Sequence, residues 1–159
     1  MPFIGIIAEE SKENCIRRQI IERLNLRESS VLFIKEKSIE NIKNIKFETI
    51  LLDREFKNVE MLKILLKNVK YLVINSDIGC NLNLLDNLEM TVITYGFNSK
   101  STITASSVNE EEVLVCVQRN ILDVKKRKIE PQEIKIEMQN DASSTMAITA
   151  ILLIYGKII

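Results

Sequence analysis

No histidine and no tryptophan occur among the 159 residues. The missing imidazole removes the side chain that most often serves as a general base near neutral pH, and with it any Ser-His or Cys-His nucleophile pair. Cysteine is scarce: Cys15, Cys80 and Cys116 are an odd, widely spaced set, which is no disulfide framework. Without histidine or a C-x-x-C pair there is no zinc-site pattern either, so three thiols in a reducing cytoplasm are expected. Four glycines and two prolines leave little room for long linkers. Charge of one sign is not in excess, with 22 basic and 22 acidic residues, so no overall field draws the chain to nucleic acid or to an anionic membrane. Runs long enough to span a bilayer, about 18 apolar residues, are absent. The opening MPFIGIIAEESK has no basic leader and turns acidic at Glu9 and Glu10, unlike a signal peptide. The apolar stretch Met146 to Ile159 is short and carries Tyr155, Gly156 and Lys157, which suits a buried helix better than an anchor.

What remains is an ordinary globular composition, 46% hydrophobic and 28% charged, long enough for one domain with a sizeable core. Short apolar runs alternate with helical stripes. Phe3 to Ala8, Ser30 to Lys35, Thr49 to Leu52, Tyr71 to Asn75 and Met90 to Tyr95 predict buried strands. Helices are predicted over 11–24, where Cys15, Ile16, Ile20, Ile21 and Leu24 recur, over 59–68, and as a short piece over 82–88. Strand–helix alternation predicts an α/β fold with a mostly parallel sheet and flanking helices.

The pattern changes after Gly96. Ile103 to Val108, Val113 to Arg119 and Glu133 to Met138 read as strands with no helices between them, and Ile134, Ile136 and Met138 alternate with charged residues as in a half-exposed antiparallel strand. The basic run Lys125 to Lys128 belongs in a turn of that region. A helix is predicted near 142–156, capped by Asp141, Ser143 or Ser144 and ended by Gly156, with Met146, Ala147, Ala150, Ile151 and Ile154 on its apolar face. The expected organisation is one domain over 1–159, with an α/β core over 1–100, a small antiparallel β-sheet over 101–138 and a C-terminal helix over 141–159 packed on the core.

Five short segments, in order, carry a family resemblance. The first strand and its turn are FIGIIAEESKEN; VINSD at 73–77 is followed by VITYG at 92–96; IKIEMQNDASS lies at 134–144; AITAILLIYGKI lies at 147–158. Together they resemble the central ATP-binding domain of the Mur ligases, the ATP-dependent amino-acid ligases of peptidoglycan precursor synthesis. There a strand of the type v-I-G-I-T runs into G-T-N-G-K-T-T. Gly5 and Ile6 match it, and Lys12 falls on the phosphate-binding lysine. Asn75 and Asp77 fall within a v-x-N-x-D-D motif. Asn140 and Asp141 fall on the His-Asn of l-p-G-x-H-N-x-x-N, and Ser144 on its later Asn. Asp53 falls near the acidic metal-binding residue. The resemblance implies Lys12, Asn75, Asp77, Asn140 and Asp141 as vestigial nucleotide contacts and Asp53 as a metal position.

This chain departs from the family where the chemistry is done. A phosphate loop needs glycines that let backbone N–H groups approach the oxygens, and none follows Gly5 until residue 79. Glu9, Glu10 and Glu13 stand in the loop instead, with Glu13 replacing the magnesium-binding hydroxyl. The T-N-x-x-x-D-H segment is missing or fused into 70–77, and the family's flanking domains are expected to be absent. The expectation is a shortened, degenerate domain with no catalytic residues and no cofactor: an interaction or regulatory module whose partner is another protein or a second copy, not nucleic acid and not a membrane. A residual module for a nucleotide, metal or small ligand is the alternative, and an active ligase ranks last. The bland readings stand beside these: Lys12 as a solvated helix-start residue, Asn75 and Asp77 as turn formers, Asp141 as a helix cap, and Cys80 and Cys116 as inert thiols.

Overall fold

The computed structural model describes residues 2–78 and 89–157. The helix expected over 82–88, Cys80 and the terminal Ile158 and Ile159 lie outside the described residues.

Strands β1 (Ile4–Ile7), β2 (Val31–Phe33), β3 (Thr49–Leu52), β4 (Tyr71–Asn75) and β5 (Thr91–Tyr95) form the parallel part, in the spatial order β5-β4-β3-β1-β2. β1 and β3 are buried at every position, which is why they read as unbroken apolar runs rather than alternations. Helices α1 (Glu10–Leu24), α2 (Ile39–Ile42) and α3 (Val59–Leu66) lie between these strands in sequence. The expected antiparallel region is present as β6 (Ile103–Val108), β7 (Glu112–Val117) and β10 (Gln132–Glu137); burial alternates along β7 and β10, while β6 runs from the buried Ile103 to an exposed end. It is joined to the parallel strands by β5 and β6, which pair at Tyr95 and Ile103, so one eight-stranded sheet runs from β10 to β2. Among the described residues, only β8 (Ile121–Leu122) and β9 (Lys128–Ile129) stand apart, as a two-stranded antiparallel ribbon with most of the basic run in its turn.

Two apolar layers sandwich the sheet. Ile4, Ile6, Leu51, Val73 and Ile93 face α1 and the last helix, α4 (Ala142–Ile154). Ile7, Ile50, Leu52, Leu72 and Ile74 face Phe47 and Leu62, Leu65 and Leu66 of α3. The sequence predicts one apolar face for α4, yet twelve of its thirteen residues are buried. The reason is position: α4 packs on β4 to β7 and on α1, and its last carbonyl, Ile154, accepts from Val124 N–H of the ribbon at 2.8 Å. A helix enclosed on all sides is apolar all round.

Helix ends follow local chemistry. After α1, Asn25 adopts the left-handed conformation, and N–H groups of Asn25 and Leu26 return to the carbonyls of Glu22 and Ile21. After α4, Gly156 (φ 72°) and Lys157 return in the same way to Leu153 and Leu152. Both are Schellman closures, built once on Asn and once on Gly.

Candidate functional site

The C-terminal ends of β1, β3, β4 and β5 meet the N-terminal turns of α1 and α4, the side of an open α/β sheet where ligands usually bind. Asp53, one residue past β3, donates its N–H to Ile7 O at 2.8 Å, which fixes its place beside β1. Its carboxylate is 1% exposed. Oδ1 accepts from the Tyr95 hydroxyl and from Asn75 Nδ2 at 3.3 Å. Oδ2 is buried and has no hydrogen-bond partner. Burial pushes the Asp53 carboxyl above its usual range, against the pull of the Tyr95 hydroxyl, Lys12 and Asn75. Burial, with Asp53 beside it, holds the Tyr95 phenol well above its ordinary value.

Lys12 lies in the first turn of α1. Its side chain is only 24% exposed, and Nζ stands 3.4 Å from Asp141 Oδ2 and 3.9 Å from Asp53 Oδ2. Lys12 therefore bridges α1, β3 and α4, and the solvated helix-start reading does not describe it. Asp141 does cap α4: its Oδ1 accepts from Ser144 N–H at 2.7 Å. Burial raises the Asp141 carboxyl, but the Ser144 N–H and the Lys12 ammonium outweigh it and hold the group below its ordinary value. Asn140, just before the cap, is exposed and takes a left-handed conformation (φ 63°).

Asn75 and Asp77 shape the turn after β4. Asn75 Oδ1 accepts from Asp77 N–H at 2.9 Å, and Asp77 Oδ2 accepts from Phe97 N–H at 2.7 Å. Gly96 sits between them with φ 153°, and a Cβ there would lie 2.7 Å from Asp77 Oδ2 and 2.8 Å from Ser76 Oγ. Asn75 Nδ2 also reaches Ser143 Oγ at 3.4 Å. The fold thus brings Lys12, Asp53, Asn75 and Asp141 together, places Asp77 one turn away, and leaves Asn140 on the rim. Sequence reasoning passed over Tyr95, taken to close its strand. Its register opposite Asn75 on β4 is what aims its hydroxyl at Asp53.

The acidic start of α1 is arranged differently from a row of like charges. Glu13 is buried, with Lys35 Nζ at 3.2 Å, and Glu10 lies 3.8 Å from the same ammonium. Glu9 and Glu10 are exposed along an open cleft of about 770 Å³ between the start of α1, Lys35–Lys37 and Arg54–Lys57. Lys12 does not line it. Arg54 Nε donates to Ala8 O at 3.3 Å, and its Nη1 lies 3.2 Å from Glu36 Oε1, so a guanidinium stands over the end of β1. Among the described residues, no three His, Cys, Asp or Glu side chains are grouped to hold a metal ion. No helix of the described residues is long and apolar enough to cross a membrane.

The mixed sheet and its flanking helices form a Mur-ligase-like α/β fold. Among solved structures, the chain is similar to UDP-N-acetylmuramoylalanyl-D-glutamyl-2,6-diaminopimelate--D-alanyl-D-alanyl ligase from Acinetobacter baumannii, with a TM-score of 0.62 over 98% of this chain at 8% identity. The chain spans 43% of the length of that protein. No family model and no curated protein matches. At this identity the likeness is one of fold, and function has to be argued from the site.

Proposed function

We propose that this chain is a non-catalytic Mur-ligase-like domain that serves bacterial cell-wall precursor synthesis as an interaction or regulatory module in the cytoplasm. The choice of pathway is supported by the likeness in fold to the ligase described above. The non-catalytic reading is supported by one observation: the lysine at the start of α1 is turned inward, its ammonium 3.4 Å from Asp141 and 3.9 Å from Asp53. A lysine committed to two carboxylates is not free for a phosphate, and the exposed Glu9 and Glu10 beside it repel one. A triphosphate with magnesium does not fit these residues. The turn offers no glycine, Glu13 is taken up by Lys35, and the space between Asp53 and Asp141 holds an ammonium where a divalent ion would need ligands. No catalytic step is derived for this chain.

A second reading, residual binding of a small ligand, is favoured by the buried Asp53 Oδ2, which accepts no hydrogen bond and has only the Lys12 ammonium 3.9 Å away. Such a ligand would supply a donor or a cation rather than a phosphate. Calorimetry with ATP and ADP at near-millimolar concentration, with and without magnesium, tests the main reading. The expected result is no heat and no thermal shift. Saturable nucleotide binding that disappears in Lys12→Ala would overturn it.

A further inference from the structure

Charge is balanced over the whole chain but not along it. The β8–β9 ribbon carries Lys125, Lys126 and Arg127 in its turn and Lys128 at the start of β9. Arg127 is held by Asp123 at 2.8 Å and Lys128 lies 3.5 Å from Glu130, while Lys125 and Lys126 are exposed with no ion-pair partner among the described residues. The turn is internally fixed. Asp123, 2% exposed, accepts from the N–H groups of Lys125 and Arg127 at 2.9 and 2.8 Å, and Lys126 is locked at φ 61°. Two aliphatic side chains stand out beside these ammoniums, Leu122 at 53% and Val124 at 37% exposure.

The opposite end of the antiparallel strands has the complementary surface. β7 starts at Glu112, paired with Glu137 at the end of β10, and runs away towards the ribbon. Around that start lies an open cleft of about 570 Å³ lined by Glu110, Glu111, Glu112, Lys135, Glu137 and Met138. Lys135 lies 3.8 Å from Glu112, and Glu110, Glu111 and Glu137 have no ion-pair partner among the described residues. Val108, 46% exposed, and the half-buried Met138 give this end aliphatic surface too. The two poles are separated by the length of β7, roughly 20 Å for a six-residue strand. That exceeds the Debye length of about 10 Å at 0.1 M salt, so neither pole neutralises the other within one chain.

Surfaces that match in charge and in apolar content, yet cannot meet in one molecule, can meet between two. We propose that the β8–β9 ribbon of one copy docks in the Glu110–Glu112 and Glu137 cleft of the next, head to tail. This rests on the reading of the chain as an interaction module and names its partner as a second copy. The contact is heterologous, so each pair leaves one ribbon and one cleft free. It is small, which places it in the weak and salt-sensitive class.

Sedimentation velocity on the full chain, over a range of concentrations at low and high salt, tests it. Association is expected at low salt and weakens as salt rises. Lys125→Ala/Lys126→Ala and Glu110→Gln/Glu111→Gln change exposed side chains only, and each variant alone is expected to lose affinity by about tenfold or more. Mixed in equal amounts, the two retain one good ribbon and one good cleft, and should form pairs that grow no further. A wild-type chain that stays monomeric at low salt, or variants that associate like wild type, would overturn the contact. Nucleotide calorimetry does not involve either pole. Binding there would remove the proposed function and leave the sedimentation result to decide the contact.

Discussion

Lys12, Asp53 and Asp141 illustrate how far a single residue's type can mislead about its state. A lysine at a helix start suggests a solvated cation, and only the fold reveals that it joins three elements. Asp53 is the costly member, because its folded carboxyl lies above the ordinary value of 3.8. A raised carboxyl binds its proton more tightly in the folded chain, so stability falls as pH rises from 3.8 through the raised value. Asp53→Asn keeps an acceptor for Tyr95 and removes the buried charge. Denaturant titrations are expected to find the stability of the variant, relative to wild type, rising from pH 4 to pH 7, because the variant lacks the carboxyl whose ionisation costs the folded state. Asp141 behaves in the opposite sense. Its folded carboxyl lies below 3.8, so its contribution is present above that pH and is lost as pH falls through the depressed value. Asp141→Ala removes a cap and should lose about 1 kcal/mol at neutral pH, with the difference shrinking in acid. Asp141 was legible in the sequence because capping is a local rule. The tie from Tyr95 to Asp53 was not, because it joins residues 42 apart in the chain.

At the scale of elements, the sequence carried most of the fold. Runs such as ILL in β3 and YLVIN in β4 announce strands buried on both faces, and the predicted bounds of both agree with the structure. The alternation of Ile134 and Ile136 with charged neighbours likewise marked β10 as an antiparallel strand with one face in water, and the structure adds that it is an edge strand. What periodicity could not supply was the junction of β6 with β5, since the pairing of Tyr95 with Ile103 leaves no repeat to detect. Nor could it foresee that α4 is enclosed, because enclosure depends on neighbours from four strands and another helix. Gly96 marks where β5 must turn against Asp77. With φ 153° and no space for a Cβ, Gly96→Ala should destabilise by about 1–3 kcal/mol and displace Asp77 from Phe97 N–H. Thermal melting reads the first effect, and loss of protection of the Phe97 amide in hydrogen exchange reads the second.

Across the whole molecule, the parallel and antiparallel parts share little backbone pairing at β5 and β6, and α4 lies over both. Its Ile151 is fully buried in the core layer that includes Ile6, Val73, Val113 and Ile134. Ile151→Ala should therefore lower stability by about 2–5 kcal/mol. Hydrogen exchange should rise together in β4 and β7. Protection lost in one part alone would mean that α4 does not couple them. The order of the chain adds a consequence for synthesis. The strands are complete by residue 137, but the helix that covers them spans 142–154. A ribosome making this chain leaves the part of the sheet under α4, over β4 to β7, uncovered until that helix emerges. Folding is deferred to the end of the segment, and a message broken shortly before it yields a product for chaperones and proteases rather than a smaller working domain.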